Sequence, residues 1–257
     1  MWPFTKHYSI LDSGVLGGAT DWHCHILPGV DDGIRTMESS LEVLAFYEQT
    51  GIREVWLTPH IMEDVPNETA ALRQRYAELR AAYEAARDPQ AGSPIHLHLA
   101  AENMIDTLFD HRFEAGDLLT IGGPEDIPGP DGEILLVETS YFSPPMAFED
   151  TLDEIRQKGF HPLLAHPERY VYMGRRDYAR LKDSGVRFQL NLMSLVGMYG
   201  KTAADKASDL LLDGLYDCFG SDLHRLSPWQ RAISDPVLTK KETAALQALR
   251  ERMDGER

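Results

Sequence analysis

The chain has 257 residues, of which 43% are hydrophobic and 26% charged, a balance typical of a folded globular protein rather than a disordered chain or a fibre. Lysine and arginine number 25 against 41 aspartates and glutamates, so the formal net charge is −16. A field of that sign repels phosphate backbones, which argues against nucleic-acid binding. No apolar run is long enough to span a bilayer, so the sequence predicts no membrane insertion.

The cysteine content and the first residues bear on the compartment. Cys24 and Cys218 are too few for a disulfide framework, and we expect a reduced, cytoplasmic setting. Residues 1–20 lack the compact apolar segment of a signal peptide, because Lys6 and Asp12 interrupt the apolar residues. We interpret residues 1–20 as an N-terminal arm that packs on the domain or on a partner. The sequence leaves open whether the chain forms a homo-oligomer.

Apolar, β-rich runs alternate with helical patterns along the chain. The predicted strands are 21–26, 54–58, 95–101, 134–139, 160–165, 186–192 and 216–221. The predicted helices are 37–49, 67–87, 104–114, 148–158, 176–184, 203–212 and 241–253, with Gly51 as the C-cap of the first. Strict alternation, at intervals close to the ~30 residues of a βαβ unit, predicts an α/β fold with a parallel sheet, closed as a barrel or open. No composition break divides the chain, so we expect a single domain over residues 21–257, with the Pro/Gly-rich stretch 122–132 as a loop.

Histidine and carboxylate side chains recur at the carboxyl ends of these strands. In the first strand, His23 and His25 are two residues apart and therefore share one face. The other candidates follow later in the chain: Asp32, His60, Glu102, Glu138, His166, Asp222 and His224. Because the carboxyl ends of parallel strands meet at one rim, where α/β barrels form their active sites, we expect these side chains to converge.

The residue types in this set indicate a metal centre. Imidazole and carboxylate without thiolate suit Mn, Fe, Zn or Co, and disfavour a structural zinc site. Nine such residues exceed the needs of one ion and predict two or three clustered ions. A single His-x-His pair is weak evidence for a metal site, and a histidine after a proline turn can simply face solvent. The prediction therefore depends on five separate strand ends, each of which supplies a histidine or carboxylate to the same rim.

A cysteine-dependent phosphatase mechanism is disfavoured. That mechanism uses a cysteine nucleophile with an arginine six residues later, whereas Cys24 is followed at that distance by Val30 and Cys218 by His224. Cys24 also lies between the two histidines of its strand, so its side chain points to the opposite face. We therefore expect Cys24 to be a packing residue.

The chain resembles the polymerase-and-histidinol-phosphatase (PHP) superfamily of metal hydrolases, in its motifs DWHCHILPGVDDG, TPHIM, LLAHPERY, QLNLMSLVGMYGK and SDLH. Within that superfamily it resembles the bacterial manganese-dependent protein-tyrosine phosphatases associated with capsule and exopolysaccharide systems. The resemblance covers residues 21–226 and implies a distorted (β/α)7, TIM-like barrel. It also implies three divalent metal ions as cofactors, with Mn²⁺ first and Fe or Zn as alternatives.

The resemblance also implies roles for individual residues. It assigns the nine candidates to three metals: His23, His25, Glu102 and Asp222; Glu102, Glu138 and His166; Asp32, His60 and His224. Arg169, in the HPER motif, matches the phosphate-binding arginine, and Arg169 and His224 are the candidate catalytic residues. The alternative for Arg169 is a surface arginine paired with Glu168 or another carboxylate. Arg225 is the candidate for a second substrate-binding arginine, with Arg231 as the alternative.

The implied function is hydrolysis of phosphotyrosine on a protein. The expected substrate is the tail of a membrane tyrosine autokinase that controls polysaccharide synthesis and export. Two other functions stay open: a small-molecule phosphoesterase such as a histidinol-phosphate phosphatase, and a non-catalytic metal-binding adaptor of the export machinery. The charge of −16 disfavours a nuclease or a proofreading module.

Overall fold

The computed structural model describes residues 6–87, 93–122 and 132–255. Apart from its two end residues, the predicted loop 122–132 lies outside these ranges, as does the beginning of the N-terminal arm. Within them no helix combines the length and the apolar content needed to cross a membrane.

The strands form two parallel sheets, which confirms the predicted α/β class. In chain order they are β1 (Thr20–Cys24), β2 (Glu54–Leu57), β3 (His60–Ile61), β4 (His96–Leu99), β5 (Glu102–Met104), β6 (Ile134–Glu138), β7 (His161–Ala165), β8 (Arg187–Asn191) and β9 (Cys218–Gly220). One sheet has the order β1-β2-β4 and the other the order β3-β5-β6-β7-β8-β9. The inner strands are buried on both faces, as Leu163 and Leu164 of β7 show.

Two of the predicted strands are each broken into two. The strand predicted at 54–58 continues past Pro59 as β3, and the one predicted at 95–101 continues past Ala101 as β5. Pro59 has no N–H to donate to the ladder, and the N–H of Ala101 bonds to the carbonyl of Leu119 instead (3.2 Å). At these breaks the chain passes from the first sheet to the second.

The two sheets also meet at their other ends, between β1 and β9. Cys24 and Leu223 form a parallel bridge just after β9. The N–H of His25 donates to the carbonyl of Leu223 (3.1 Å), and the N–H of Asp222 donates to the carbonyl of His23 (2.8 Å). The last strand, β9, is therefore next to the first strand, β1, and the carboxyl ends of these two strands lie side by side.

The helices are α1 (Met37–Thr50), α2 (Thr69–Ala86), α3 (Thr107–Ala115), α4 (Phe148–Gln157), α5 (Arg175–Asp183), α6 (Leu192–Leu195), α7 (Lys201–Leu212), α8 (Leu226–Ser234) and α9 (Lys240–Gly255). Gly51 is the C-cap of α1 with φ +93°, as predicted. The helix predicted at 104–114 begins only at Thr107, because Asp106 is its N-cap and accepts a hydrogen bond from the N–H of Phe109. Helix α8 was not predicted; it buries Trp229 and Ile233.

The described part of the N-terminal arm packs on the C-terminal region. Tyr8 pairs antiparallel with Leu238, and the N–H of Leu11 donates to the carbonyl of Ile233 (2.9 Å). Ile10 is fully buried. These contacts join the arm to helix α8 and to the segment between α8 and α9.

Candidate metal centre

The structure brings all nine candidate ligand residues together. Most of them end or follow a strand, whereas His60 and Glu102 are the first residues of β3 and β5. The nine residues form four overlapping groups: His25, Asp32, His60 and His224; His23, His25 and Asp222; His23, Glu102 and His166; His60, Glu102 and Glu138. The described residues contain no other such group of histidines and carboxylates. Two of the nine, His166 (φ +35°) and Asp222 (φ +50°), have left-handed backbones, which non-glycine residues adopt rarely and mostly at functional sites.

The most buried part of the cluster surrounds a single point. The Nε2 atoms of His23 and His25 lie 3.1 Å apart. Glu102 Oε2 is 3.1 and 3.2 Å from these two nitrogens, and Asp222 Oδ1 is 3.6 and 3.4 Å from them. Ligand bonds of ~2.0–2.2 Å put neighbouring ligand atoms at about this spacing around one ion. The four atoms thus fit a shared cation.

Glu102 joins this part of the cluster to the rest. Its Oε1 is 2.9 Å from His166 Nε2, and its Oε2 is 3.1 Å from His60 Nδ1. Glu138 Oε1 is also 3.1 Å from His60 Nδ1, but the nearest approach of Glu138 to His166 is 3.8 Å. Glu138 therefore groups with His60, which differs from the division of ligands that the resemblance implies.

The outer part of the cluster consists of Asp32, His60 and His224. Asp32 Oδ1 is 3.6 Å from His60 Nε2 and 3.3 Å from His224 Nε2. Asp32 is mostly exposed and His224 partly so, with a side-chain exposure of 26%. This side of the cluster is therefore open to solvent.

Several buried atoms of the cluster have no hydrogen-bond partner. They include Glu102 Oε2, Glu138 Oε1 and His60 Nδ1, which lie close together without the geometry of a hydrogen bond. An unsatisfied buried polar atom costs about 1–3 kcal/mol, and more if it is charged. These atoms are arranged as ligands, and the donor set fits divalent metal ions.

Neighbouring side chains hold the histidines in the orientation that points Nε2 into the cluster. Gln189 Oε1 is 3.0 Å from His23 Nδ1, and Asp31 Oδ2 is 2.8 Å from His25 Nδ1. Such partners fix the tautomer of a ligand histidine. Neither residue was predicted from the sequence; the paired aspartates of the GVDDG motif were the one available signal for Asp31.

Mutual contact keeps the carboxylates charged. Burial opposes the charge on Glu102, but His23 and His60 hold its pKa well below the usual range. Burial and His25 oppose protonation of His60, but Glu102 and Glu138 outweigh them and raise its pKa to about 10. The hydrogen bond from His224 lowers the pKa of Asp32 to about 2. Metal ions that take these ligands must displace protons from the histidines.

Arg169 lies beside the cluster, on the 3-10 turn Pro167–Arg169 that follows β7. Its Nη1 donates to Asp222 Oδ2 (2.8 Å), and its guanidinium lies between the rings of Tyr141 (4.4 Å) and Tyr199 (3.9 Å). The ring contacts use none of its five N–H donors. Among the described residues, the bond to Asp222 is the one side-chain hydrogen bond that the guanidinium of Arg169 makes. Its other N–H groups are therefore available to an anion.

A family profile described as capsular polysaccharide synthesis, CpsB/CapC, matches residues 19–244. The chain belongs to this family. The tyrosine-protein phosphatase YwqE of Bacillus subtilis (strain 168) is 28% identical to it over 209 residues, which cover 80% of this chain and 77% of that protein. A crystal structure of YwqE from Bacillus subtilis and CpsB from Streptococcus pneumoniae, described as unique metal-dependent tyrosine phosphatases, matches with a TM-score of 0.73 at 24% identity. It covers 92% of this chain and 91% of that chain, which shows the same fold.

The other arginine candidates of this CpsB/CapC chain lie at the start of helix α8 and within it. Arg225 is the exposed N-cap of α8 and Arg231 is exposed further along that helix. No hydrogen bond or ion pair joins either side chain to the cluster in the described residues.

Glu168 is buried and accepts from the Tyr216 hydroxyl (2.9 Å) and the N–H of Asn191 (3.1 Å). Arg169 is therefore not the surface partner of Glu168.

Both cysteines of the CpsB/CapC chain are buried and unpaired. The thiol of Cys24 donates to the carbonyl of Trp56 (3.4 Å), on the packed side of β1. Burial raises the pKa of both thiols well above the usual range. A thiolate nucleophile is thus disfavoured at either position.

Proposed function

We propose that this chain is a metal-dependent protein-tyrosine phosphatase. One observation carries the proposal: a buried cluster of histidines and carboxylates with unsatisfied ligand atoms lies against a guanidinium that has N–H donors to spare. The name of YwqE, to which most of the chain aligns, supports phosphotyrosine as the group that is hydrolysed.

For the architecture, we propose the distorted (β/α)7 barrel of the PHP superfamily. Counting β2 with β3 and β4 with β5 gives seven strands, and the bridge between Cys24 and Leu223 returns the order to β1. Residues 21–257 then make one metal-hydrolase domain, with residues 1–20 as its N-terminal arm.

For the cofactor, we propose three divalent ions, with Mn²⁺ first and Fe or Zn as alternatives. Nine imidazole and carboxylate residues without a thiolate suit these metals. The assigned ligands are His23, His25, Asp32, His60, Glu102, Glu138, His166, Asp222 and His224. When bound, the ions supply positive charge and lower the pKa of water so that it can act as the nucleophile.

The chain's own residues then bind and orient the substrate. The N–H donors of Arg169 bind phosphoryl oxygens, and Tyr141 and Tyr199 hold the guanidinium in place without using those donors. His224, at the open side of the cluster, is the second catalytic residue, and Arg225, which follows it, is the second substrate-binding arginine. A phenolate with a pKa of about 10 leaves readily, so a strong general acid is not required.

The substrate we propose is the phosphotyrosine tail of a membrane tyrosine autokinase that controls polysaccharide synthesis or export. The family's description, capsular polysaccharide synthesis, supports this pathway. The reaction would take place in the cytoplasm, where such a tail and a reduced pair of cysteines would both be found.

Substrate preference tests the proposal. After addition of Mn²⁺, kcat/KM for a phosphotyrosine peptide should exceed that for histidinol phosphate by more than about tenfold, or roughly 1.4 kcal/mol of transition-state binding. The reverse preference would make the chain a small-molecule phosphoesterase. Metal binding without turnover of either substrate would favour the non-catalytic adaptor.

The cysteines provide a matched control for the chemistry. The double variant Cys24→Ala, Cys218→Ala should keep kcat within about twofold of the wild-type value in the fraction that folds, although it should lose about 1 kcal/mol or more of stability because both sites are buried. Circular dichroism before each assay identifies the folded fraction. Loss of turnover in a folded double variant would support a thiolate mechanism instead.

A further inference from the structure

Large apolar side chains are exposed unevenly over the described surface. Eight are exposed: Leu11, Phe142, Met146, Val171, Met198, Tyr199, Leu212 and Val237. Five of the eight lie in the turns and loops between the neighbouring strands β6, β7 and β8 and the helices α4, α5 and α7 that come later in the chain. Scattered apolar residues on a surface need no explanation, whereas a concentration of them marks a binding surface. We name Phe142, Met146, Val171, Met198 and Tyr199 the apolar rim.

The apolar rim is continuous with the candidate active site through the first two loops. In the loop after β6, Tyr141 packs its ring against the Arg169 guanidinium, and the next residue, Phe142, is 79% exposed. In the loop after β7, Val171 follows Arg169 by two residues and donates its N–H to the carbonyl of Tyr141 (2.9 Å). The two loops therefore form one surface beside the guanidinium.

The third loop completes this surface. Tyr199 packs against Arg169 from the other side (3.9 Å), and its hydroxyl donates to Asp222 Oδ2 (3.3 Å). The ring is also partly exposed, and Met198 next to it is exposed as well. Each of the three loops thus supplies one residue in contact with the site and an apolar side chain next to it or two residues away.

We propose that the apolar rim binds the polypeptide on both sides of the phosphotyrosine by taking up its apolar side chains. This inference rests on the proposed phosphatase function and specifies its substrate class: phosphotyrosine in a flexible segment with apolar neighbours. A chain with a charge of −16 repels an acidic phosphopeptide. Burial of apolar surface supplies affinity that does not depend on charge.

The residue types of the rim fit such a partner. Met146, which is 96% exposed, and Met198 have unbranched side chains that adapt to different apolar partners. A small phosphate ester has no flanking side chains for Phe142 or Met146 to bind. The rim therefore distinguishes a polypeptide substrate from a free metabolite.

The test compares two substrates in a rim variant and in a matched control. The rim variant is Phe142→Ser, Met146→Ser, Met198→Ser; the control is Leu11→Ser, Leu212→Ser, which removes exposed apolar side chains from other parts of the surface. The quantity measured is kcat/KM for a phosphotyrosine peptide with apolar flanking residues, divided by kcat/KM for free phosphotyrosine. This ratio should fall about tenfold in the rim variant, mainly through KM, and stay at the wild-type value in the control.

A binding measurement accompanies the kinetics. A fluorescent peptide that carries a non-hydrolysable phosphonate in place of the phosphate should bind the rim variant about tenfold more weakly than it binds the wild type or the control, as measured by anisotropy. An unchanged ratio together with unchanged peptide binding overturns the inference. Light scattering shows whether the wild type is a dimer and the rim variant a monomer. If so, and if the ratio of the two kcat/KM values is unchanged, the rim is a contact between copies of the chain instead. If the wild type hydrolyses neither substrate, the phosphatase proposal fails, and the anisotropy measurement still decides the role of the rim.

Discussion

Two buried carboxylates on strands of the two sheets, Asp21 in β1 and Glu102 in β5, have opposite surroundings. Asp21 Oδ1 accepts hydrogen bonds from the N–H groups of Ser221 (2.7 Å) and His23 (3.3 Å). Its Oδ2 accepts from the hydroxyls of Tyr47 (2.7 Å) and Ser221 (2.6 Å). Glu102 is just as buried, yet its Oε2 has no hydrogen-bond donor.

This difference separates a structural carboxylate from a ligand. Asp21 joins β1 to the segment after β9 and helps to close the strand order, whereas Glu102 is surrounded by histidine nitrogens at ligand spacing. Glu168 belongs with Asp21, because its two oxygens accept from Tyr216 and from the backbone of Asn191. Burial alone does not identify a metal ligand; in this comparison the buried carboxylate oxygen without a donor, Glu102 Oε2, is the one that faces the histidines.

The variant Glu102→Gln tests the ligand side of the comparison and should have the largest effect. We expect loss of bound metal and at least a ~1000-fold decrease in kcat, or about 4 kcal/mol. The metal-free variant should be less stable than metal-free wild type at neutral pH, because the change removes a buried carboxylate whose charge His23 and His60 stabilise. Elemental analysis measures the bound metal, a turnover assay measures kcat, and calorimetry measures the stability. A Glu102→Gln protein that keeps its full metal content would contradict the assignment.

The variant Asp21→Asn tests the structural side. It replaces an acceptor of four hydrogen bonds with an amide that can accept only through one oxygen, so we expect a loss of about 2–3 kcal/mol in the free energy of unfolding. Metal content and kcat of the folded variant should stay close to wild type, since Asp21 faces Ser221 and Tyr47. Urea denaturation gives the first quantity. If Asp21→Asn abolished metal binding without loss of stability, the comparison would be wrong.

Asp222 combines both kinds of surroundings, because one of its oxygens faces the histidines and the other accepts hydrogen bonds. The variant Arg169→Ala removes one of these hydrogen-bond donors. The Oδ1 of Asp222 faces the histidines, while its Oδ2 accepts from Arg169 and Asn191 (2.6 Å). We expect Arg169→Ala to keep its metals and lose about tenfold in kcat/KM, or 1.4 kcal/mol of transition-state binding. Arg169→Lys should recover only part of this, because bidentate geometry is lost. Wild-type kinetics for Arg169→Ala would remove Arg169 from the substrate site.

The smallest expected effect is the pH dependence that Glu242 adds at α9. Burial opposes its charge, but donors from Ser208 and Thr239 hold the Glu242 pKa below the usual value of 4.5. Because the folded pKa is the lower one, this stabilisation is present above about pH 4.5 and is lost as the pH falls through the folded pKa. As Glu242 is partly exposed, we expect no more than ~1 kcal/mol. The stability difference between wild type and Glu242→Gln should shrink between pH 6 and pH 3 in urea titrations. A constant difference would exclude this role, and Glu84→Gln, at an exposed helix position, is the control.

The sequence predicted those features that depend on residue type and strand position. The histidines and carboxylates at strand ends could be identified because parallel strands bring their carboxyl ends to one rim, and the structure brings all nine together. The division of β2 from β3 was not predicted, although Pro59 marked the position. Helix α8 was missed because its short pattern follows directly after the SDLH motif.

Contacts between loops could not be predicted. The position of Arg169 between Tyr141 and Tyr199 depends on three loops that lie far apart in the sequence and meet only after the sheet has formed. The same holds for Gln189, which faces His23 from β8. These are tertiary contacts between side chains with no spacing of their own in the sequence.

A titration of metal-free protein with Mn²⁺ tests the central claim most directly. Bound manganese per chain, by elemental analysis, is followed together with hydrolysis of a phosphotyrosine peptide. Turnover should be absent in the chelated protein, rise with bound manganese and reach its plateau at three ions per chain. Full turnover in the chelated protein, or three bound ions without any hydrolysis, would contradict the account.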